Sequence, residues 1–138
     1  MYEFHGWACV RYHPHDTDET KQAECWARVV EKIRAIEEST GVSATAGFTG
    51  DEVIAWHGLQ SRRGDAWPVR LLRVIGEEAP GSYGLVHTRD FEDPDVEARN
   101  GFRVWALRRG IVEEESDPHL SPFVPKCEDP FDAERPER

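Results

Sequence analysis

One hundred and thirty-eight residues at 15.8 kDa fit a single compact domain and exclude two full ones. The chain is 38% hydrophobic and 32% charged, with five Trp and six Phe, so it has the core anchors that a disordered chain lacks. A formal charge of −10 speaks against binding nucleic acid, which requires phosphates to be neutralised, and no uncharged run, Gly41 to Gly50 included, approaches the roughly 20 apolar residues of a membrane span.

Taken in chain order, Tyr2 to His13 alternates, with Tyr2, Phe4, Gly6, Ala8, Val10 and Tyr12 on one side and Glu3, His5, Trp7, Cys9, Arg11 and His13 on the other. This is the pattern of a strand with one buried face. Pro14 stops it, and Thr17 or Asp18 caps a helix beginning near Asp18. In that helix Ala23, Trp26, Val29, Val30, Ile33 and Ile36 form an apolar stripe, Glu24 is spaced to meet Arg28, and Gly41 ends the run. Val42 to Phe48 and Glu52 to Leu59 flank Thr49-Gly50-Asp51 as a hairpin. Asp65 is placed to cap a second helix carrying Pro68, Leu71, Leu72, Ile75 and Ala79, closed by Pro80-Gly81. Tyr83 to Arg89 and Phe102 to Arg108 read as strands around an acidic loop, and Arg109-Gly110 turns the chain into Ile111 to Glu115. Five of the nine prolines fall from Pro118 onward, which predicts an extended surface segment with a frayed end. The expected class is α+β: a mostly antiparallel sheet of about five to six strands, two helices on one face, and a Pro-rich extended C-terminus. The domain is expected over residues 1–125 and an acidic tail over 126–138.

Catalytic chemistry finds little support. Three cysteines (Cys9, Cys25, Cys127) without Cys-x-x-Cys spacing write neither a disulfide framework nor a zinc knuckle, which fits a reducing cytoplasm. Met1-Tyr2-Glu3-Phe4 lacks the basic and apolar regions of a signal peptide, so an untargeted protein is expected. His13-Pro14-His15-Asp16 echoes a di-zinc hydrolase motif, but Thr17 and Asp18 stand where its last two ligands belong. Gly81-Ser82-Tyr83-Gly84 is not a nucleophile elbow, and no phosphate-binding glycine loop exists. Glu113-Glu114-Glu115 alternate across a strand and cannot converge on one cation. The reading is therefore of no catalytic residue, no metal and no cofactor. The alternative is a small hydrolase or ligand-binding enzyme using Cys9 with His5 or His13. Most tryptophans belong to the core, whereas Trp7 shares a polar strand face with Glu3, His5 and Arg11.

The charge is uneven. Residues 1–89 hold thirteen acids against ten Lys/Arg, and residues 90–138 hold fourteen against seven. Asp90, Glu92, Asp93, Asp95 and Glu97 crowd one loop, and Glu113, Glu114, Glu115 and Asp117 follow after a hairpin. If the strands flanking the loop pair, residues 113–117 run back towards it. The two segments then form one acidic edge, with Phe91 as an apolar anchor, suited to a basic protein partner. His5 and Trp7 mark a second candidate surface, and the alternative is that the acids only solubilise.

Glu3-Phe4-His5-Gly6-Trp7, Gly81-Ser82-Tyr83-Gly84-Leu85 leading to Arg89-Asp90, Phe102-Arg103-Val104-Trp105 and Asp117-Pro118-His119-Leu120-Ser121-Pro122 together resemble the immunity protein 7 family of bacterial polymorphic toxin systems. The resemblance spans nearly the whole chain. It implies a cytoplasmic protein that binds and blocks a cognate toxin domain without identifying the toxin; a basic nuclease is the target that the acidic loops would suit. In the family the strand after the hairpin often ends in an Asn-His pair, whereas this chain reads Gly58-Leu59-Gln60-Ser61-Arg62, so no role for that histidine carries over.

Overall fold

The alternating segment at the start of the chain becomes a central strand with neighbours on both sides. In the computed structural model, which describes residues 1–40, 46–50 and 52–136, it is β1 (Tyr2–Cys9). It is followed by α1 (Glu19–Thr40), β2 (Ala46–Thr49), β3 (Val53–Gln60), α2 (Trp67–Glu78) and β4 (Tyr83–Asp90). A 3-10 turn at Glu97–Asn100, β5 (Arg103–Arg108), β6 (Ile111–Ser116) and one short turn, α3 (Phe123–Lys126), complete the order. The six strands make one sheet in the order β2-β3-β1-β4-β5-β6, and every neighbouring pair is antiparallel. This is the α+β class expected from the sequence.

Both helices lie on one face of that sheet. Tyr2, Phe4 and Ala8 of β1, Ile54 and Trp56 of β3, and Val86 of β4 pack there against Val29 and Ile33 of α1 and Leu71, Leu72 and Ile75 of α2 in one apolar core. Gly6 is needed at its centre, because a Cβ there would stand 2.6 Å from Cε2 of Trp56. The Trp56 indole in turn donates to the Pro68 carbonyl at 3.1 Å and fixes α2 on the sheet.

Several local expectations change. β1 ends at Cys9, short of His13, because the next residues bond outside the ladder, Arg11 N–H donating to Ser82 Oγ at 2.9 Å. Asp18 caps α1, its carboxylate accepting the Lys21 N–H at 3.0 Å. The buried seam of α1 is Cys25, Val29 and Ile33, narrower than the predicted stripe: Ala23 is exposed, and Trp26, Val30 and Ile36 are half-buried. Arg28 does not pair within its helix but reaches Glu78 of α2 at 3.6 Å, where Lys32 joins it at 3.9 Å. Asp65 is not the cap of α2. Ala66 takes that place in a left-handed conformation (φ 54°, ψ 44°), and Asp65 pairs with Arg70. Gly41, the part of the predicted hairpin at 42–45 and Asp51 of its turn lie outside the described residues.

Arg109 and Gly110, at φ 51° and 78°, form the two-residue turn between β5 and β6, the positive φ values matching the twist of a tight hairpin. After β6 the chain does not simply run extended. It folds back as a strap, with Asn100 donating to the Val124 carbonyl at 2.9 Å and accepting its N–H at 2.8 Å. Residues 128–136 are exposed.

Candidate partner-binding surface

Strand pairing decides which acids meet. β4 and β5 are antiparallel neighbours, so the loop between them sits at one end of the sheet, and β6 returns from the Arg109-Gly110 turn towards that loop. The join is Arg103, which bonds Asp93 through Nε at 2.8 Å and Nη2 at 3.1 Å and Glu114 through Nη1 at 2.7 Å. Glu97 on one side and Glu114 and Glu115 on the other line an open cleft of about 660 Å³.

The ten residues predicted for this edge divide by what they already hold. Asp93 and Asp117 are 3% and 7% exposed and work inside the fold. Arg103 beside Asp93 holds its carboxyl below the usual range. Burial pushes Asp117 up, but hydrogen bonds from the His119 N–H, the Ser121 hydroxyl and the Leu120 N–H outweigh it, and the net direction is down. Glu113 and Glu115 share Arg108 at 3.5 and 2.6 Å on the face away from the helices, while Glu114 takes Arg103 on the other. Asp90, Glu92, Asp95 and Glu97 form no ion pair among the described residues; Asp90 and Asp95 instead accept the N–H groups of Glu92 at 2.9 Å and Glu97 at 3.1 Å. These short turns hold the acid loop in shape and leave its charge uncompensated.

Phe91 is 37% exposed, with its other side against Arg89. The Arg89 guanidinium lies 4.4 Å from the Phe91 ring and 3.8 Å from that of Phe123, which clamps the strap to the acidic loop.

The second candidate surface is the sheet face opposite the helices. His5 of β1 is in register with His57 of β3 and His87 of β4, so three histidines form a row across adjacent strands. Burial pulls the His87 imidazole below the ordinary histidine range. Trp7, 40% exposed, meets Tyr83 edge to face at 6.2 Å, and Leu59 and Ile111 are exposed on the same face. Sequence reasoning found His5 and Trp7 but not His57 or His87, because only strand pairing shows that they lie side by side.

For the enzyme alternative, Cys9 sits beside the Tyr83 hydroxyl, and His5 donates to Glu3 at 2.9 Å. His13 Nδ1 accepts the N–H groups of His15 at 3.1 Å and Asp16 at 2.9 Å in the turn before α1. Among the described residues, no group of three or more His, Cys, Asp or Glu is placed to hold a metal ion, and no helix is long and apolar enough to cross a membrane.

The motif residues turn out to be joints of the scaffold. Ser121 Oγ accepts the Phe102 N–H and donates to Asp117, both at 2.8 Å, tying two of the motifs together. A Cβ on Gly84 would meet the Trp7 carbonyl, and one on Gly81 the backbone of His13. Fold and surface thus define an all-antiparallel α+β domain in which Asp90, Glu92, Asp95 and Glu97, without ion pairs among the described residues, crowd one sheet end. A family model described as Immunity protein 7 matches residues 1–129, and the chain belongs to that family. Membership makes it an immunity protein, whose role is to bind a cognate toxin. No curated protein and no solved structure matches the chain.

Proposed function

We propose that the protein acts in the cytoplasm as a stoichiometric inhibitor, without turnover, of a toxin domain with a basic surface, such as a nuclease. Contact is made through the acidic end of the sheet. The observation that carries this is that Asp90, Glu92, Asp95 and Glu97 stand without ion pairs among the described residues, beside the cleft that Glu114 and Glu115 border. Uncompensated acids on a shaped loop steer a basic partner and gain strength as the interface excludes water. Phe91, backed by Arg89, supplies an apolar anchor at the rim.

Association kinetics across a salt series test the proposal, using the cognate toxin domain. Glu92→Gln, Asp95→Asn and Glu97→Gln together should slow association by about three- to tenfold at low salt and flatten its salt dependence. Asp93 is left intact because it is structural. Unchanged rates and unchanged protection of cells would return these acids to solvent. The row of His5, His57 and His87 with Trp7 and Tyr83 favours a second reading, in which the toxin docks on the open sheet face. His5→Ala with Trp7→Ala would then weaken binding where the acid variants do not.

A further inference from the structure

On the helix side of the same sheet end lies a second, chemically opposite cavity. It is about 520 Å³ and is lined by Arg63, Arg70, Arg73 and Arg103, in a protein whose net charge is −10. Two of these cations are already committed, Arg70 to Asp65 and Arg103 to Asp93. Arg63 and Arg73 have no carboxylate within ion-pair distance among the described residues; Arg73 instead lies 5.7 Å from the centre of the Trp105 ring. The floor is apolar and fixed. Tyr2 and Val69 are buried, and the Trp105 indole donates to Thr88 Oγ1 at 3.3 Å. Burial pushes the Tyr2 phenol up to about 12, so it stays neutral and adds no negative charge. Asp90 faces the same space and opposes an anion, which leaves the two free guanidiniums with a local excess of one positive charge.

We propose that this cavity receives a carboxylate side chain, glutamate or aspartate, of the toxin bound at the neighbouring acidic loop. The inference rests on the proposed toxin contact, because Asp90 and Asp93 belong both to that loop and to the cavity wall. One excess positive charge suits a single carboxylate. The methylenes of such a side chain would lie on Tyr2, Val69 and Trp105 while its oxygens take the fork of Arg63 or Arg73. A free polyanion is disfavoured by the protein's overall field, whereas a carboxylate carried on a docked partner arrives with the partner's basic surface around it. The pairing of an acidic loop with a basic cavity then serves discrimination, since a basic toxin lacking the matching acid leaves the cavity's one excess positive charge facing the interface without a counter-charge.

The test has two arms. In the first, the arginine Nε–H resonances of the labelled protein are followed by NMR while a blocked glutamate (N-acetyl, α-amide) is added, with blocked glutamine and inorganic phosphate as comparisons. Saturable shifts at Arg63 and Arg73 with the glutamate alone are expected, together with a shift of the Trp105 indole N–H in the cavity wall that is lost in Arg63→Gln with Arg73→Gln. Arg28 and Arg34, which pair with Glu78 and Glu37, should not move. No saturable shift, equal shifts at Arg28 and Arg34, or a response to phosphate alone would overturn the proposal. In the second arm, Arg63→Gln with Arg73→Gln should lower affinity for the cognate toxin domain about tenfold. If this pair has no effect while the acid-loop variant slows association, the cavity assignment falls and the acidic contact stands. If only the arginine pair matters, the reverse holds.

Discussion

Asp93→Asn tests the joint on which the acidic edge depends. Asp93 accepts Arg103 Nε at 2.8 Å, Arg103 Nη2 at 3.1 Å and the Asp95 N–H at 2.9 Å, with its side chain 4% exposed. Breaking a buried ion pair costs about 3–5 kcal/mol, chiefly because the surviving charge is stranded. Here Arg103 is not stranded, since its side chain is 37% exposed and it keeps Glu114 at 2.7 Å. The amide also preserves the shape and one acceptor, so the expected loss is about 2–3 kcal/mol, or roughly 6–10 °C in Tm for a domain of this size. Urea and thermal unfolding measure it. The pH dependence supplies the sign. Asp93's native pKa is lowered, so its contribution is complete above the unfolded value of about 3.9 and is lost as pH falls through the native one. The acid limb of the stability curve should therefore be shallower in Asp93→Asn than in the wild type, though not flat, because Asp117 titrates with the same sign. A loss below about 0.5 kcal/mol with an unchanged acid limb would refute the reasoning and make the Arg103 bridge incidental.

Ile33 is 1% exposed in the α1 seam, so Ile33→Ala should cost about 2–5 kcal/mol in chemical unfolding, and an unchanged midpoint would remove it from the core. His87 is held neutral by burial, which means that the unfolded chain takes up a proton at a higher pH than the native protein does. Wild-type stability should fall as pH drops below about 6.5 towards the lower native pKa, and His87→Gln should lack that slope, as thermal scans between pH 7.5 and pH 5 would show (about one ionisation).

The sequence by itself determined the order of the six strands and two long helices and the sheet's buried face, because a period of two at Tyr2, Phe4, Gly6 and Ala8 can serve only one side of a strand. It also narrowed the α1 cap to Thr17 or Asp18, of which the structure uses Asp18, and located Arg109-Gly110 as a turn and the concentration of acid after Arg89, since each depends on neighbours in the chain. What it could not determine are features set between distant segments. Whether an acid faces water or the fold depends on the partners that folding brings to it: Arg103 of β5 holds Asp93 inward and the strap after β6 holds Asp117, while Glu92 and Glu97 stay outside. Strand register aligned His57, His5 and His87, residues with no regular spacing in the chain. Arg63 and Arg73 come together with Arg103 only because α2 crosses the sheet beside β4 and β5, and the strap's attachment through Arg89, Phe123 and Asn100 likewise exists only once the chain has folded back. Local pattern fixes which side of an element is apolar, but pairing and packing choose the partner of every charge, and at this surface the charges make the site.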